Sequence, residues 1–269
     1  MRNGFADFVI LISIVFLAGL LWRAAKHILK TRFPDIFDSL KKKLFFIRIP
    51  LNCIKYYWQR YCLYIKKGPL LFQGKKLRYF NNDPFYLTER AVEIPIIYEA
   101  VKKNRNKRIL EIGNVLSQYF KANWDIVDKF EKAPRVINED IVDYSPQKRY
   151  DLIVSISTFE HIGHDESVES PGKDDNKIIE AVNHVKFRLL TAEGTFMMTV
   201  PIGYNSNLDK KLFNEELKFD DIYYYKRISA DNRWRECKRE DALIAKFNSP
   251  YEWANVIAVC VAKGLTPNT

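Results

Sequence analysis

Several polar residues stand at spacings that suit the binding of a polar small molecule. Glu111 and Gly113 close an apolar run that begins at Arg108, and Asp128 and Asp140 close the next two apolar runs. A carboxylate in such a position accepts hydrogen bonds from hydroxyl or ammonium groups. A glycine lets the backbone approach a ligand without a Cβ atom in the way. If the fold brings the ends of these runs together, the four residues form a ligand site.

Candidate general bases follow a fourth apolar run, residues 150–156. His161 and His164 lie shortly after that run, with Glu160 and Asp165 beside them. Histidine is the usual proton acceptor at neutral pH, and an oxygen or nitrogen nucleophile needs one when it must lose a proton. His161 and His164 are therefore the candidate catalytic residues. A place in the wall of the ligand pocket is the alternative for both.

The elements that must position these residues alternate between strands and helices. Apolar strands interleaved with helices indicate a parallel sheet, in which a ligand binds beyond the carboxyl ends of the strands. Strands are expected at residues 108–112, 125–127, 135–138, 152–156 and 195–200, with two more at 222–225 and 256–262. Helices are expected at 88–103, capped by Thr88, at 116–122 and, most clearly, at 174–190.

This ordered set of strand ends resembles the S-adenosylmethionine-dependent methyltransferases of the Rossmann-like class. The resemblance rests on RILEIGNVLSQYF at 108–120, on the acids Asp128 and Asp140, and on DLIVSISTFEHI at 151–162. TAEGT at 191–195, leading into TVP at 199–201, extends it to about Tyr204. It implies an α/β fold with a doubly wound, mostly parallel sheet and an antiparallel edge strand. It also implies S-adenosylmethionine as the cofactor.

The resemblance assigns a role to each strand end. Glu111 suits the ammonium group of the cofactor, Asp128 its two ribose hydroxyls, and Asp140 with Ile141 the adenine ring. The cofactor-binding residues expected are then Glu111, Gly113, Asn114, Asp128, Asp140, Ile141 and Ser157. Three alternatives stand beside these roles. Glu111 is also suited to a helix N-terminus, Asp128 to a surface position before Lys129, and Asp143 is the rival of Asp140.

The glycine turn departs from the pattern of this family. Where the family has E-x-G-x-G-x-G, Val115 and Ser117 replace the second and third glycines of this chain. A dinucleotide site is disfavoured further, because G-x-G-x-x-G also fails and a pyrophosphate requires close approach of the backbone. No Asn-Pro-Pro-Tyr-like sequence follows the fourth strand, which disfavours amino-methylation of DNA bases.

The N-terminal segment has the length and composition of a membrane span. Residues 5–22 are apolar apart from Asp7 and Ser13, and a helix of that length covers about 27 Å of the ~30 Å hydrocarbon core. A core helix would show a polar face, and a cleaved signal peptide would show a small-residue cleavage site. We therefore expect an N-terminal transmembrane helix within residues 1–27. The basic residues after it place the rest of the chain in the cytoplasm, as a single-pass protein of the cell membrane.

A basic, aromatic juxtamembrane segment and linker is expected at residues 28–87, followed by a methyltransferase-like domain at 88–269. The net charge is +10, and residues 1–70 carry the whole excess, with 13 of the 43 basic and three of the 33 acidic residues. An interfacial helix on an anionic lipid surface and a packed linker helix with solvated charges fit this segment equally well. Because the remainder is balanced in charge, a nucleic-acid partner is disfavoured.

The four cysteines indicate a reducing compartment. Cys53, Cys62, Cys237 and Cys260 form no CxxC pair and no metal-ligand spacing. Lone thiols and the absence of a metal are therefore expected.

Two functions are compatible with these features. The first is a membrane-anchored methyltransferase that acts on a small molecule or a glycan such as a lipid-linked sugar. Residues 201–205 would then border the acceptor pocket, while residues 223–225 and 233–235 would hold a sugar or an anionic group, or simply pack as aromatic residues. The second function is that of a catalytically inactive Rossmann-like protein that binds a ligand or a partner at the membrane.

Overall fold

The computed structural model describes residues 68–81, 87–164 and 174–264. Outside these ranges lie the predicted transmembrane helix, residues 28–67 and 82–86 of the basic segment and linker, Cys53, Cys62 and Asp165. Within the described ranges, no helix has the length and apolar character needed to cross a membrane. Cys237 and Cys260 are free thiols.

A small hairpin precedes the main sheet. It pairs β1 (Leu70–Phe72) with β2 (Lys75–Leu77) in antiparallel fashion. Gln73 and Gly74 form its turn, both with positive φ. This hairpin lies within residues 28–87, for which the sequence predicted a segment and linker but no strand. Strands of three residues are too short for an alternating pattern of apolar residues to reveal them.

An eight-stranded sheet forms the centre of the described structure. Its strands are β3 (Ile109–Ile112), β4 (Asp125–Val127), β5 (Val136–Ile137), β6 (Tyr150–Ile156), β7 (Leu190–Pro201), β8 (Asp221–Arg227), β9 (Trp234–Cys237) and β10 (Val256–Lys263). They lie in the order β5-β4-β3-β6-β7-β10-β8-β9. The first five pair in parallel, while β10 is antiparallel to both β7 and β8, and the edge strand β9 is antiparallel to β8. The prediction of a mostly parallel sheet with an antiparallel edge strand is confirmed.

Helices cover both faces of this sheet. They are α1 (Arg90–Lys103), α2 (Lys177–His184), α3 (Ser206–Phe213) and α4 (Arg239–Leu243). Alternate residues of the central strands point to opposite faces. Ile153 and Phe196 therefore pack with α2 and α3, while Leu152 and Met197 pack with α1. The two apolar cores make the fold a doubly wound, three-layered α/β structure.

The predicted helix at 174–190 is shorter than expected. The α-helical part, α2, is followed by a π-helical turn, Val185–Leu189, and Leu190 already begins β7. The predicted helix at 88–103 begins two residues later than Thr88, whose Oγ1 accepts a hydrogen bond from the Arg90 N–H at 3.3 Å.

The predicted helix at 116–122 is wrong. Only a 3-10 turn, Leu116–Gln118, forms between β3 and β4. The Glu111 carboxylate accepts hydrogen bonds from the backbone N–H groups of Val115 and Leu116 at 2.9 and 2.5 Å. The turn is therefore fixed at its first residues, and the chain goes directly to β4.

Candidate functional site

A cavity of about 480 Å³ lies at the carboxyl ends of β3, β4, β5 and β6. We call it the strand-end cavity. Strand β3 pairs with β4 on one side and with β6 on the other, so the strand order reverses at β3. Doubly wound sheets bind ligands at such a switch point. Its volume is in the range of small-molecule pockets, roughly 300–1,000 Å³. Seven of the nine predicted site residues line it: Gly113, Asn114, Asp128, Asp140, Ile141, Ser157 and His161.

Gly113 brings bare backbone to the wall of the cavity. Its φ is +83°, and a Cβ atom there would lie 2.2 Å from Thr158 Oγ1. Its N–H donates to the carbonyl of Val127 at 2.8 Å, which ties the end of β3 to the end of β4. A residue with a Cβ atom would have to displace Thr158, and the positive φ also favours glycine at this position.

Asn114 connects the glycine turn with the loop after β4. Its backbone N–H donates to Asp128 Oδ2 at 3.2 Å, and its Nδ2 donates to Glu131 Oε1 at 2.7 Å. Ser117 Oγ donates to Asn114 Oδ1, and Gln118 Nε2 donates to the Asn114 carbonyl at 2.6 Å. Side-chain hydrogen bonds therefore hold a turn in which two of the expected glycines are missing.

Glu111 does not reach the cavity. Its side chain is buried behind the turn, where Oε1 accepts from two backbone N–H groups and Oε2 accepts from the indole N–H of Trp124 at 2.8 Å. Burial raises the pKa of this carboxyl, and the hydrogen bonds from Trp124, Leu116 and Val115 oppose the rise. The carboxylate is bonded to the turn and does not line the cavity, so the contact with a ligand ammonium group stays a prediction.

Asp128 is held by three backbone donors. Its Oδ1 accepts hydrogen bonds from the N–H groups of Phe130 and Glu131 at 2.9 and 2.7 Å, and its Oδ2 accepts from Asn114 N at 3.2 Å. A carboxylate has about four acceptor positions. These bonds fix the orientation of the group and leave about one position for a ligand hydroxyl, fewer than the two that the resemblance implies.

Asp140 lies between two lysines. Its Oδ2 is 3.0 Å from Lys129 Nζ and 2.9 Å from Lys177 Nζ, and its Oδ1 accepts from the Val142 N–H at 3.3 Å. Burial works to raise the pKa of Asp140, but the two ammonium groups and this N–H outweigh it and hold the pKa below its usual value. The rival, Asp143, is exposed and does not line the cavity.

Phe130 also lines the cavity, and sequence reasoning missed it. Its side chain is 55% exposed, and the buried Ile141 lines the same cavity. Large exposed aromatic side chains beside a pocket often bind planar ligands. The sequence feature that could have indicated Phe130 is its position two residues after Asp128, the acid at the end of β4.

The wall at the end of β6 contains Ser157 and His161. Ser157 has a φ of +39°, which is strained for a residue with a side chain, and its hydroxyl donates to Glu93 Oε1 at 2.7 Å. The His161 ring packs edge-to-face on Tyr204, with centroids 5.2 Å apart. His164 is 6.3 Å from the same ring and does not line the cavity. Tyr204 in the loop after β7 therefore lies next to one cavity-lining histidine, and the other predicted histidine is set back.

The residues considered for a sugar or an anion, 223–225 and 233–235, do not line the cavity. Trp234 is buried, and its indole N–H donates to Asn232 Oδ1 at 2.5 Å. Arg233 is paired with Asp231 at 3.1 Å, and the Tyr225 hydroxyl donates to the Leu71 carbonyl at 2.9 Å. The aromatic-packing alternative accounts for the buried Trp234 and Tyr225.

Comparison with known proteins gives similarity at the level of solved structures alone. No protein-family model and no curated protein matches the chain. The N-methyltransferase NodS from Bradyrhizobium japonicum WM9, in complex with S-adenosyl-L-homocysteine, is 14% identical over 69% of this chain and 94% of that chain, with a TM-score of 0.38.

Two further solved structures show the same level of similarity. A S-adenosylmethionine-dependent methyltransferase from Clostridium acetobutylicum ATCC 824 is 15% identical over 62% of this chain and 89% of that chain, with a TM-score of 0.33. The glycopeptide N-methyltransferase MtfA, complexed with sinefungin, is 11% identical over 73% of this chain and 100% of that chain, also with a TM-score of 0.33. At such low identities and TM-scores, a function for this chain has to be inferred from the geometry of its cavity.

Proposed function

We propose that the chain is a S-adenosylmethionine-dependent methyltransferase that binds its cofactor in the strand-end cavity. The observation that carries the proposal is the convergence of Gly113, Asp128 and Asp140. These residues follow three different strands, yet they line one cavity at the switch point of a doubly wound sheet.

The residues of the cavity fit the parts of this cofactor. Gly113 admits the nucleoside to the backbone, and Asp128 accepts a hydrogen bond from a ribose hydroxyl. Ile141 and Phe130 offer apolar surface to the adenine ring. When bound, the cofactor supplies an electrophilic methyl group for in-line displacement by a nucleophile. The chain contributes positioning, which supplies much of the rate in such reactions, and His161 is the candidate acceptor of the nucleophile's proton.

Calorimetric titration of S-adenosylmethionine and S-adenosylhomocysteine into the purified chain tests this proposal. Both ligands are expected to bind, and Asp128→Ala is expected to weaken both at least tenfold, the loss of one charge-assisted hydrogen bond of about 1.5–3 kcal/mol. Asp221→Ala, at an exposed carboxylate on β8, is the matched control and should bind like the wild type. A folded chain that binds neither ligand would overturn the proposal.

We further propose that the enzyme is anchored in the cell membrane with its catalytic domain in the cytoplasm, and that a glycan or a lipid-linked sugar is the acceptor. The apolar run at 5–22 and the basic residues after it support the anchor and its orientation. An anchored enzyme has ready access to an acceptor that is itself bound to the membrane. Incubation of the enzyme and radiolabelled cofactor with lipid-linked sugars from its host should label that fraction; labelling of soluble fractions alone would contradict this acceptor class.

A catalytically inactive ligand- or partner-binding protein is the second candidate function. The engagement of Glu111 by the turn favours it, because this carboxylate is bonded to the turn and does not line the cavity. In a host that depends on the protein, Asp128→Ala should abolish function if the chain is an enzyme. It should leave function intact if the chain acts through a surface away from the cavity.

A further inference from the structure

Two buried carboxylates lie directly behind the wall of the strand-end cavity. Glu93 on α1 is fully buried, and its Oε1 accepts the hydrogen bond of the cavity-lining Ser157 at 2.7 Å. Glu160 is 2% exposed, and its Oε1 lies 3.9 Å from Nε2 of the cavity-lining His161. Each acid is therefore separated from the cavity by a single side chain.

One polar atom of this group, Glu160 Oε2, has no hydrogen-bond partner among the described residues. Glu93 Oε2 has the guanidinium of Arg90 at 3.6 Å, and the Thr199 side chain also lies beside the Glu93 carboxyl. Thr199 belongs to the same group, because its carbonyl accepts a hydrogen bond from the Ser157 N–H at 2.9 Å. Buried polar atoms without partners are rare and costly in folded proteins. Two buried carboxyl groups behind one wall of a ligand cavity, one of them with an unpaired oxygen, make this wall suited to a positive charge in addition to Arg90.

The charges around Glu93 are mostly acidic. Glu89, just before α1, and Arg90, its first residue, face Glu93. The Arg90 guanidinium lies 3.6 Å from Glu93 Oε2, within ion-pair distance. Ser157 and Thr199 face it from the ends of β6 and β7, and Glu160 from the turn after β6. Arg90 also donates to the Ile156 carbonyl at 2.9 Å. Arg90 is thus the guanidinium that faces both Glu93 and Glu160, while Glu89 also faces Arg227.

Burial keeps a proton on this group. It raises the pKa of Glu93 to about 7, with Glu89 adding to the rise and Arg90 opposing it. Burial likewise raises the pKa of Glu160 well above its usual value. A positive charge brought into the cavity would favour the ionised form of Glu93 and lower its pKa.

We propose that Glu93, backed by Glu160, makes the β6 wall of the cavity selective for a cationic ligand, and that binding of the cation drives a proton from Glu93 into the solvent. In this step the carboxyl O–H bond of Glu93 breaks, its proton passes to the buffer, and the carboxylate remains opposite the bound cation. The ligand class is a sulfonium or a protonated amine. The inference rests on the proposed function, because it takes the cofactor as the source of that cation.

S-adenosylmethionine and S-adenosylhomocysteine are the probes that test it. They share every titratable group and differ in that the first carries a positive sulfonium and the second a neutral thioether. Calorimetry at pH 7 in buffers of different ionisation enthalpy gives the number of protons released on binding. The sulfonium ligand is expected to release roughly half a proton more than the neutral one, since Glu93 is about half protonated at that pH. Its affinity relative to the neutral ligand should rise several-fold between pH 6 and pH 8.

Glu93→Gln is expected to abolish the difference in proton release while keeping the binding of S-adenosylhomocysteine. Glu99→Gln, on the same helix but paired with Lys75 and Lys102, is the matched control and should retain the difference. Equal proton release by the two ligands, or an unchanged difference in Glu93→Gln, would overturn the inference. If Glu93→Gln does not fold, the comparison of the two ligands on the wild type decides. If both ligands bind with equal proton release, this inference alone fails; if a folded chain binds neither, the proposed function fails as well.

Discussion

The indole N–H of Trp124 donates to Glu111 Oε2 at 2.8 Å, and this buried pair joins the end of β3 to the residue before β4. The other carboxylate oxygen accepts the N–H groups of Val115 and Leu116. Glu111 is therefore a positioning residue, whose carboxylate shapes the turn that carries Gly113 into the cavity.

Glu111→Ala is expected to destabilise the fold, because it leaves three buried donors without a partner at about 1–3 kcal/mol each. Trp124→Phe removes one of these donors and should lower the free energy of unfolding less than Glu111→Ala does. A double-mutant cycle over the two residues in urea unfolding should give a coupling energy of about 0.5–3 kcal/mol. Trp253→Phe, at a tryptophan that is 46% exposed, is the control and should be nearly neutral. Additive effects of the two substitutions would show that the pair does not hold the turn.

Gly113→Ala is expected to damage both stability and cofactor binding. The added Cβ would lie 2.2 Å from Thr158 Oγ1, and φ is already +83°. Gly74→Ala is the control that separates backbone strain from the steric clash. Gly74 has a φ of +74°, but no atom lies within 4 Å of the added Cβ. The free energy of unfolding of Gly74→Ala should fall by about 1 kcal/mol from backbone strain alone. Thermal unfolding and calorimetry should show a larger loss for Gly113→Ala; equal losses would mean that the contact with Thr158 is of no consequence.

Phe130→Ala should weaken binding of S-adenosylhomocysteine on the order of tenfold, because stacking of a base on an aromatic ring contributes about 1–3 kcal/mol. The unfolding free energy should change little, since the side chain is 55% exposed. Phe187→Ala, at a phenylalanine that is 46% exposed outside the cavity, is the matched control for calorimetry. Equal affinities of the two variants would exclude Phe130 from the binding site.

The pH dependence of stability should reveal Glu93. Its pKa rises from 4.5 to about 7 on folding, so the folded state holds more protons than the unfolded state between these pH values. The unfolding free energy contributed by Glu93 therefore falls as pH rises through this window, by at most about 1.4 kcal/mol per pH unit. Glu93→Gln should remove this slope, which urea unfolding at pH 5 to pH 8 would show.

The stability that Glu99 contributes should change with pH in the opposite direction to that of Glu93. Hydrogen bonds from Lys102 and Lys75 lower the pKa of Glu99. The stability that it contributes is present above its ordinary pKa of 4.5 and is lost as pH falls through the folded value. Glu99→Gln should therefore leave the decline between pH 5 and pH 8 intact. The assignment of that decline to Glu93 would be wrong if Glu93→Gln and Glu99→Gln gave parallel curves.

The central strands β3, β6 and β10 could be predicted because they are buried on both faces and read as nearly continuous apolar runs. Predicted bounds at 125–127 agree with β4, and those at 108–112 differ from β3 by one residue. Once strand ends are known, a parallel sheet places them at one edge, which is why Gly113, Asp128 and Asp140 were found from sequence.

The rest depends on contacts between distant parts of the chain. Ser157 and Glu93 are 64 residues apart, and no local pattern around Glu93 distinguishes it from a surface glutamate on a helix. The turn at 116–122 is composed of residues compatible with a helix, and its conformation is decided by Glu111 and Trp124. The edge strand β9 has four residues, of which the buried Trp234 alone marks the apolar face, too few for periodicity to reveal it.

The central claim, that the strand-end cavity holds the cofactor, is tested most directly by a crystal structure of the chain grown with S-adenosylhomocysteine. We expect the ligand between the glycine turn and Phe130, with a ribose hydroxyl in hydrogen-bond distance of Asp128. A ligand bound elsewhere on the chain, with Asp128 and Gly113 untouched, would contradict the claim.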